Sequence, residues 1–153
     1  MSKVILTYGT FDLFHIGHLN LLRRLKKMGS SLVVGVSTDK FNELKGKKTI
    51  IRYEDRIDIV KNIKYVDTAF PEQNWEQKVE DIKKYNVDVF AMGNDWAGKF
   101  DHLKEHCDVV YLPRTEGISS TSLKSLMANF DKAHVGELKK ALDIIANIVN
   151  RFE

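Results

Sequence analysis

His15 and His18 stand three positions apart, separated by Ile16-Gly17 and preceded by Gly9-Thr10-Phe11-Asp12. Before them, Val4-Ile5-Leu6-Thr7-Tyr8 is a near-continuous apolar run closed by Gly9, the pattern of a strand covered on both faces. From about Gly17 the pattern turns helical. Leu19, Leu22, Leu25 and Met28 share a face, and Gly29 sits where a terminating glycine belongs. The histidines therefore fall where a strand hands over to a helix. The first turn of a helix offers unpaired N–H groups and the positive end of its dipole, both favourable to bound phosphate. Two imidazoles at this spacing project to one side and can donate to oxygens that gain charge in a transition state. Gly9 and Gly17 let backbone approach a ligand closely. A helix cap or a metal pair are the other uses of such histidines, but zinc needs three or four ligands and no Cys/His cluster accompanies them.

Three further groups follow strand-like runs. Arg114-Thr115-Glu116-Gly117-Ile118-Ser119-Ser120-Thr121 comes after Asp108–Leu112 and before a helical pattern. Its hydroxyls suit a helix cap, and an arginine followed by hydroxyls also suits a triphosphate. Lys40, Lys45, Lys47, Lys48, Arg52 and Arg56 crowd the stretch from Asp39 to Arg56, against Asp39, Glu43, Glu54 and Asp55. Asp39 lies just past a second strand-like run, Leu32–Val36, where it can orient a substrate. Asp95 and Trp96 follow Val87–Met92. His102 and His106 share a helical face without a third ligand, and Cys107 reads as a small buried residue.

The elements that must position these residues alternate. Arg56–Lys64 and Trp75–Tyr85 look helical, and Tyr65–Phe70 looks like a strand stopped by Pro71. Strands alternating with helices predict a doubly wound α/β fold with a five-stranded parallel sheet, whose ligands sit at the carboxyl ends of the strands. Residues 1–130 are expected to form the catalytic domain, and 131–153 a C-terminal amphipathic helix. In that helix Leu138, Ala141, Leu142, Ile145, Ile148, Val149 and Phe152 make one apolar face that must pack on the domain or on another chain.

Composition sets the limits. With 153 residues, 43% hydrophobic and 29% charged, the chain is an ordinary globular domain rather than a low-complexity or disordered one. One cysteine gives no internal disulfide, and no apolar stretch nears membrane-spanning length. A net charge of +3 is too small for a bulk nucleic-acid binder. A cytoplasmic enzyme or small-ligand protein is the expected class, with no nucleic acid and no membrane insertion.

The quoted blocks resemble the HxGH nucleotidyltransferase superfamily, and within it the cytidylyltransferases. Gly9–Asp12 and His15–His18 match its two signatures, and Arg114–Thr121 is similar to the block that separates cytidylyltransferases from adenylyltransferases. Tyr53–Arg56, Tyr65–Asp67, Asn74–Lys78 and Gly93–Trp96 are most similar to the branch that uses glycerol 3-phosphate; the resemblance spans about residues 3–126. It implies strand order 3-2-1-4-5 and transfer of a cytidylyl group from CTP, with Mg²⁺, to a small phosphorylated acceptor by in-line displacement. His15, His18, Lys45, Lys47 and Arg114 are the implied catalytic residues. Gly9, Thr10, Phe11, Asp12, Gly17, Asp95, Thr115, Ser119 and Ser120 are the implied nucleotide site, Ser120 replacing the usual threonine. Asp39, Lys45, Arg56 and Asp67 are implied for the acceptor, and Asp12 for a magnesium ion or the order of the histidine loop. No metal ligand is firmly assigned among the side chains. A homodimer is expected by the same resemblance. Phosphoethanolamine, phosphocholine or a sugar phosphate are the alternative acceptors, and a nucleotide-sensing module without turnover is the alternative class.

Overall fold

The computed structural model describes residues 2–152, which divide into two compact units between Ile118 and Ser119. In the first unit, strands β1 (Val4–Gly9), β2 (Ser31–Ser37), β3 (Thr68–Glu72), β4 (Val89–Gly93) and β5 (Asp108–Leu112) alternate with helices. The helices are α1 (Ile16–Lys26), α2 (Asp39–Leu44), α3 (Tyr53–Lys61) and α4 (Gln77–Lys84). Two 3₁₀ turns, Asn94–Trp96 and Asp101–Glu105, link β4 to β5. All pairings are parallel and the order is β3-β2-β1-β4-β5, the doubly wound arrangement that the alternation predicts.

Side chains of successive strand residues leave the sheet on opposite faces, so each central strand feeds two cores. Ile5, Leu32, Val34, Val36, Val89 and Ala91 pack on one face with Leu22 and Leu25 of α1 and Ile57 and Val60 of α3. Leu6, Tyr8, Val33, Phe90 and Met92 pack on the other with Ile82 of α4, Phe100 and Leu103. Burial on both faces explains why these strands read as apolar runs rather than alternating ones.

One strand lies elsewhere than its sequence predicts. The run Tyr65–Phe70 looks like a strand ended by Pro71, whereas β3 spans Thr68–Glu72 and pairs Pro71 with Val36 of β2. Proline lacks a ladder donor, but β3 is the sheet's edge and needs only one bonded side. The second unit is α5 (Ser120–Val149), one continuous helix of 30 residues. The helix expected toward the C-terminus is its distal part, and Leu138, Leu142, Ile145 and Ile148 are exposed along it, as is Phe152 beyond its end. No helix among the described residues is long and apolar enough to cross a membrane.

Reversal of winding at β1, which has β2 on one side and β4 on the other, opens a crevice beyond the carboxyl ends of the central strands. Gly9, Ser37, Glu72 and Gly93 are the last residues of their strands at that edge.

Candidate active site

Between β1 and α1 the chain makes a tight, strained loop. Phe11 and Leu13 take φ values of 54° and 50°, a left-handed conformation that costs ordinary residues about 1–3 kcal/mol each. Asp12, between them and only 1% exposed, holds the loop. Its carboxylate accepts from the N–H groups of Leu13 at 3.1 Å, Ile50 at 2.8 Å and Ile51 at 2.9 Å. Asp12 thus ties the histidine loop to the lysine-rich segment ahead of α3.

The histidines close this loop as a reciprocal cap. His15 is the N-cap of α1, its Nδ1 accepting from Gly17 N–H at 3.0 Å, while His18 Nδ1 accepts from His15 N–H at 3.1 Å. Two of the helix's orphan donors are satisfied this way, a job usually done by Ser and Glu. The cap also fixes the tautomers. A ring nitrogen that accepts carries no hydrogen, so each neutral imidazole has its proton on Nε2. The rings stack with centroids 3.9 Å apart, and His18 packs on Phe11 and Phe14 at 5.5 and 5.3 Å. Burial pushes the His18 imidazole down to about 4, with the His15 charge adding to the effect, and burial lowers His15 as well. Near neutral pH this is a pair of neutral Nε2–H donors at a helix N-terminus. Gly17 makes room for it: a Cβ there would lie 2.8 Å from the His15 ring. The sequence reading set helix cap against phosphate site. The cap uses Nδ1 and the donor is Nε2, so the two uses do not compete.

Arg56, 1% exposed, joins the ends of the central strands. Its Nη1 donates to Thr10 O at 2.6 Å and Ser37 O at 2.8 Å, its Nε to Ile51 O at 2.8 Å and its Nη2 to Asp39 Oδ1 at 2.7 Å. Asp39 also accepts from Thr49 Oγ1 and from Tyr53 N–H at the start of α3, bonds that hold its carboxyl below the usual range despite the opposing effect of burial. Asp39 and Arg56, two of the four residues implied for the acceptor, are thus bound to each other and to the ends of β1 and β2.

Beside the histidine loop, Thr10, Lys45, Lys47, Trp75, Lys78 and Trp96 line a cleft of about 50 Å³. Behind it lies a buried ionic cluster. Ser37 Oγ donates to Glu72 Oε1 at 2.5 Å, Lys78 Nζ donates to Glu72 Oε2 at 2.8 Å, and Lys45 Nζ lies 3.8 Å from Glu72 and 3.0 Å from Ser37 Oγ. Burial lowers Lys45 to about 8, an effect Glu72 opposes and the Lys47, Lys78 and Arg56 charges reinforce. Lys45 and Lys47, joined from sequence only by proximity, thus share one wall. Sequence reasoning singled out the block holding Trp75 and Lys78 without giving it a task, and nothing in the sequence marked Ser37 or Glu72.

At the other rim, Arg114 Nη2 donates to Asp95 Oδ2 at 2.8 Å, an exposed pair at the ends of β5 and β4. Asn20 of α1 donates to Thr115 Oγ1 at 3.4 Å, which brings Thr115 to the first helix. Ser119 and Ser120 begin the second unit, where Ser119 caps α5 by accepting from Ser122 N–H at 3.0 Å. The structure does not bring Asp67 to the cleft. It precedes β3 at the opposite edge of the sheet, accepting from Lys26 Nζ at 2.5 Å and Leu32 N–H at 2.7 Å. Its place before the strand, at the amino end of a parallel sheet, is the physical reason. Among the described residues no three His, Cys, Asp or Glu converge on a metal position.

Comparison with known proteins gives the family. The family model described as Cytidylyltransferase-like matches residues 6–126, ending inside α5. The glycerol-3-phosphate cytidylyltransferase of Bacillus subtilis (strain 168) is 59% identical over 128 residues, covering 84% of this chain and 98% of that relative. That of Staphylococcus aureus (strain NCTC 8325 / PS 47) is 53% identical over 122 residues, 80% of this chain and 92% of the relative. A lipopolysaccharide core biosynthesis protein from Thermoplasma volcanium GSS1 superposes with a TM-score of 0.66 at 24% identity, over 76% of this chain and 100% of that one, a likeness of fold alone.

Proposed function

The chain belongs to the cytidylyltransferase-like family, and from that premise we propose that it transfers a cytidylyl group from CTP to glycerol 3-phosphate, giving CDP-glycerol and pyrophosphate. An oxygen of the acceptor's phosphate forms the new bond to the α-phosphorus. The bond from that phosphorus to the β-phosphate bridging oxygen breaks, and the electron pair leaves on pyrophosphate. The attacking group is already an anion, so no covalent intermediate and no general base are needed. Catalysis is positioning plus stabilisation of charge on the phosphate oxygens.

The observation that carries the reading is the reciprocal histidine cap, which supplies two neutral Nε2–H donors of fixed tautomer at the start of α1. Such donors need no reorganisation when charge develops on the α- and β-phosphates. Lys45 and Lys47 draw the two polyanions together, and Arg114, Thr115, Ser119 and Ser120 keep the nucleotide roles that their sequence block implies. Magnesium would come with the triphosphate: among the described residues no three His, Cys, Asp or Glu converge to hold it, and Asp12 accepts from three backbone donors. None of the roles given to side chains depends on the ion. The specific acceptor is supported by the identity of 59% and 53% to relatives named for glycerol 3-phosphate.

Pyrophosphate release, measured with CTP or ATP against a panel of phosphorylated acceptors, tests this. Release confined to CTP with glycerol 3-phosphate is the expected result. CTP-dependent release only with phosphoethanolamine, phosphocholine or a sugar phosphate would reassign the acceptor, and tight CTP binding with no release would make the chain a nucleotide sensor.

A further inference from the structure

Lys78 is a buried cation in an unusual setting. It belongs to the first turn of α4, its side chain is 3% exposed, and its ammonium donates to Glu72 at 2.8 Å. Three aromatic rings surround the same nitrogen: Tyr8 at 4.5 Å, Trp75 at 4.8 Å and Phe100 at 5.5 Å from ring centroid. The rings are themselves braced. Tyr8 donates its hydroxyl to Asp81 at 2.6 Å, and Asp81 accepts in turn from Gln77 Nε2 at 2.9 Å. Burial and the Asp81 carboxylate both push the Tyr8 phenol upward, so its ring stays neutral. Trp75 and Phe100 lie near one another and near Trp96, with centroids 5.5 to 6.5 Å apart.

Aromatic faces closing on a cation, with a carboxylate behind, are how proteins bind alkylammonium ligands. Here the ligand is a side chain of the protein itself. A buried lysine is costly unless paired and hydrogen-bonded, and this one sits on the wall of the cleft rather than deep in a core. Trp75 links the cage to the phosphate-binding lysines, because Lys45 Nζ lies 5.7 Å from the same ring. Lys45, Lys47 and Lys78 line one cleft, so the wall beside the lysines read as the acceptor's phosphate site already carries the Lys78 ammonium.

We propose that Lys78 is a specificity-determining residue: its ammonium fills the aromatic cage beside the acceptor lysines and so restricts the acceptor to phosphate esters with an uncharged, hydroxyl-bearing tail. An acceptor ending in an ammonium meets a like charge, and the cage that would receive it is occupied. The inference rests on the reading of this cleft as the acceptor site.

Two acceptors of equal tail length separate charge from size: ethylene glycol monophosphate, which ends in a hydroxyl, and phosphoethanolamine, which ends in an ammonium. The wild-type enzyme is expected to favour the neutral ester at least tenfold in kcat/KM, and Lys78→Met to reduce that preference at least tenfold. Lys78→Ala opens the cage, and ethylammonium added to this variant is expected to raise its Tm and to restore turnover of glycerol 3-phosphate. Equal use of both esters by the wild type, or the same preference in Lys78→Met, overturns the proposal. A merely structural role would lower both esters in parallel and leave the preference alone. The ethylammonium-dependent rise in Tm reads the cage without turnover, so it stands apart from the wild-type test with CTP and glycerol 3-phosphate. No such rise in Lys78→Ala overturns the cage even if that turnover is found.

Discussion

The two ends of the cleft reach their electrostatic character by opposite means. At the histidine end the bonds that cap the helix and fix the tautomers are local: His15 to Gly17 and His18 to His15, two and three residues apart. Burial there strips charge, leaving neutral donors. At the lysine end the bonds join Ser37 to Glu72, 35 residues apart, and Glu72 to Lys78 and Lys45. Burial opposes charge there as well, and one carboxylate between two ammonium groups works against it. A neutral donor suits the site where negative charge appears only in passing. A cation suits the proposed task of collecting anions beforehand. The comparison teaches that the reacting end can be made from one turn of helix, whereas the collecting end needs the assembled sheet.

Removing the shared carboxylate should give the largest effect. Glu72→Gln keeps the shape and leaves Lys45 and Lys78, with side chains 9% and 3% exposed, without a counter-charge. Breaking a buried pair from one side costs about 3–5 kcal/mol, measurable by urea unfolding. A loss under ~1 kcal/mol would mean that the cluster is not maintained as ions, and the contrast between the ends would fall.

The second effect lies in turnover rather than stability. His18→Ala removes one preorganised donor, and kcat for pyrophosphate release should fall about 10²–10³-fold while the far-ultraviolet circular dichroism is kept. Unchanged kcat would remove His18 from the mechanism. The neutral state can be checked separately, because the His18 ring should titrate near 4 in an NMR pH series instead of near 6.5. The group is held neutral in the folded chain, so its contribution to stability is full above 6.5 and fades as pH falls toward 4.

The same contrast decides how much could be read from the sequence. Gly9–Asp12 and His15–His18 are legible because local bonds write themselves as a short motif, down to Gly17, whose missing Cβ the His15 ring requires. The sheet was legible from its apolar runs, since both faces of β1, β2 and β4 are covered. Pro71 misled because its cost depends on whether a strand is central or at the edge, which no local pattern states. Arg56 and Asp39 were found as charges in a basic stretch, but their work as struts between β1, β2 and α3 exists only once those ends meet. Glu72 and Lys78 lay beyond reach for the same reason. Each looks like a surface charge until β3 and α4 close over them.

The smallest effect separates the two ends by pH. Burial, with nearby cations, lowers Lys45 to about 8 while Glu72 pulls the other way. With its cation proposed to collect the acceptor phosphate, kcat/KM for the acceptor, which reports the free enzyme, should fall about tenfold per pH unit above 8. The kcat limb should lie higher, because a bound phosphate anion favours the charged lysine. Stability moves the opposite way over this range. Between about 8 and 10.5 the unfolded chain still holds the Lys45 proton that the folded chain has lost, so this group's contribution to stability rises with pH. A fall in kcat/KM while the fold is kept therefore points to lost charge rather than unfolding. Lys45→Arg, charged throughout, should carry its plateau past pH 9 even if its absolute rate is lower. The same limb near 8 in that variant would assign it to another group and leave the lysine end without its titrating cation.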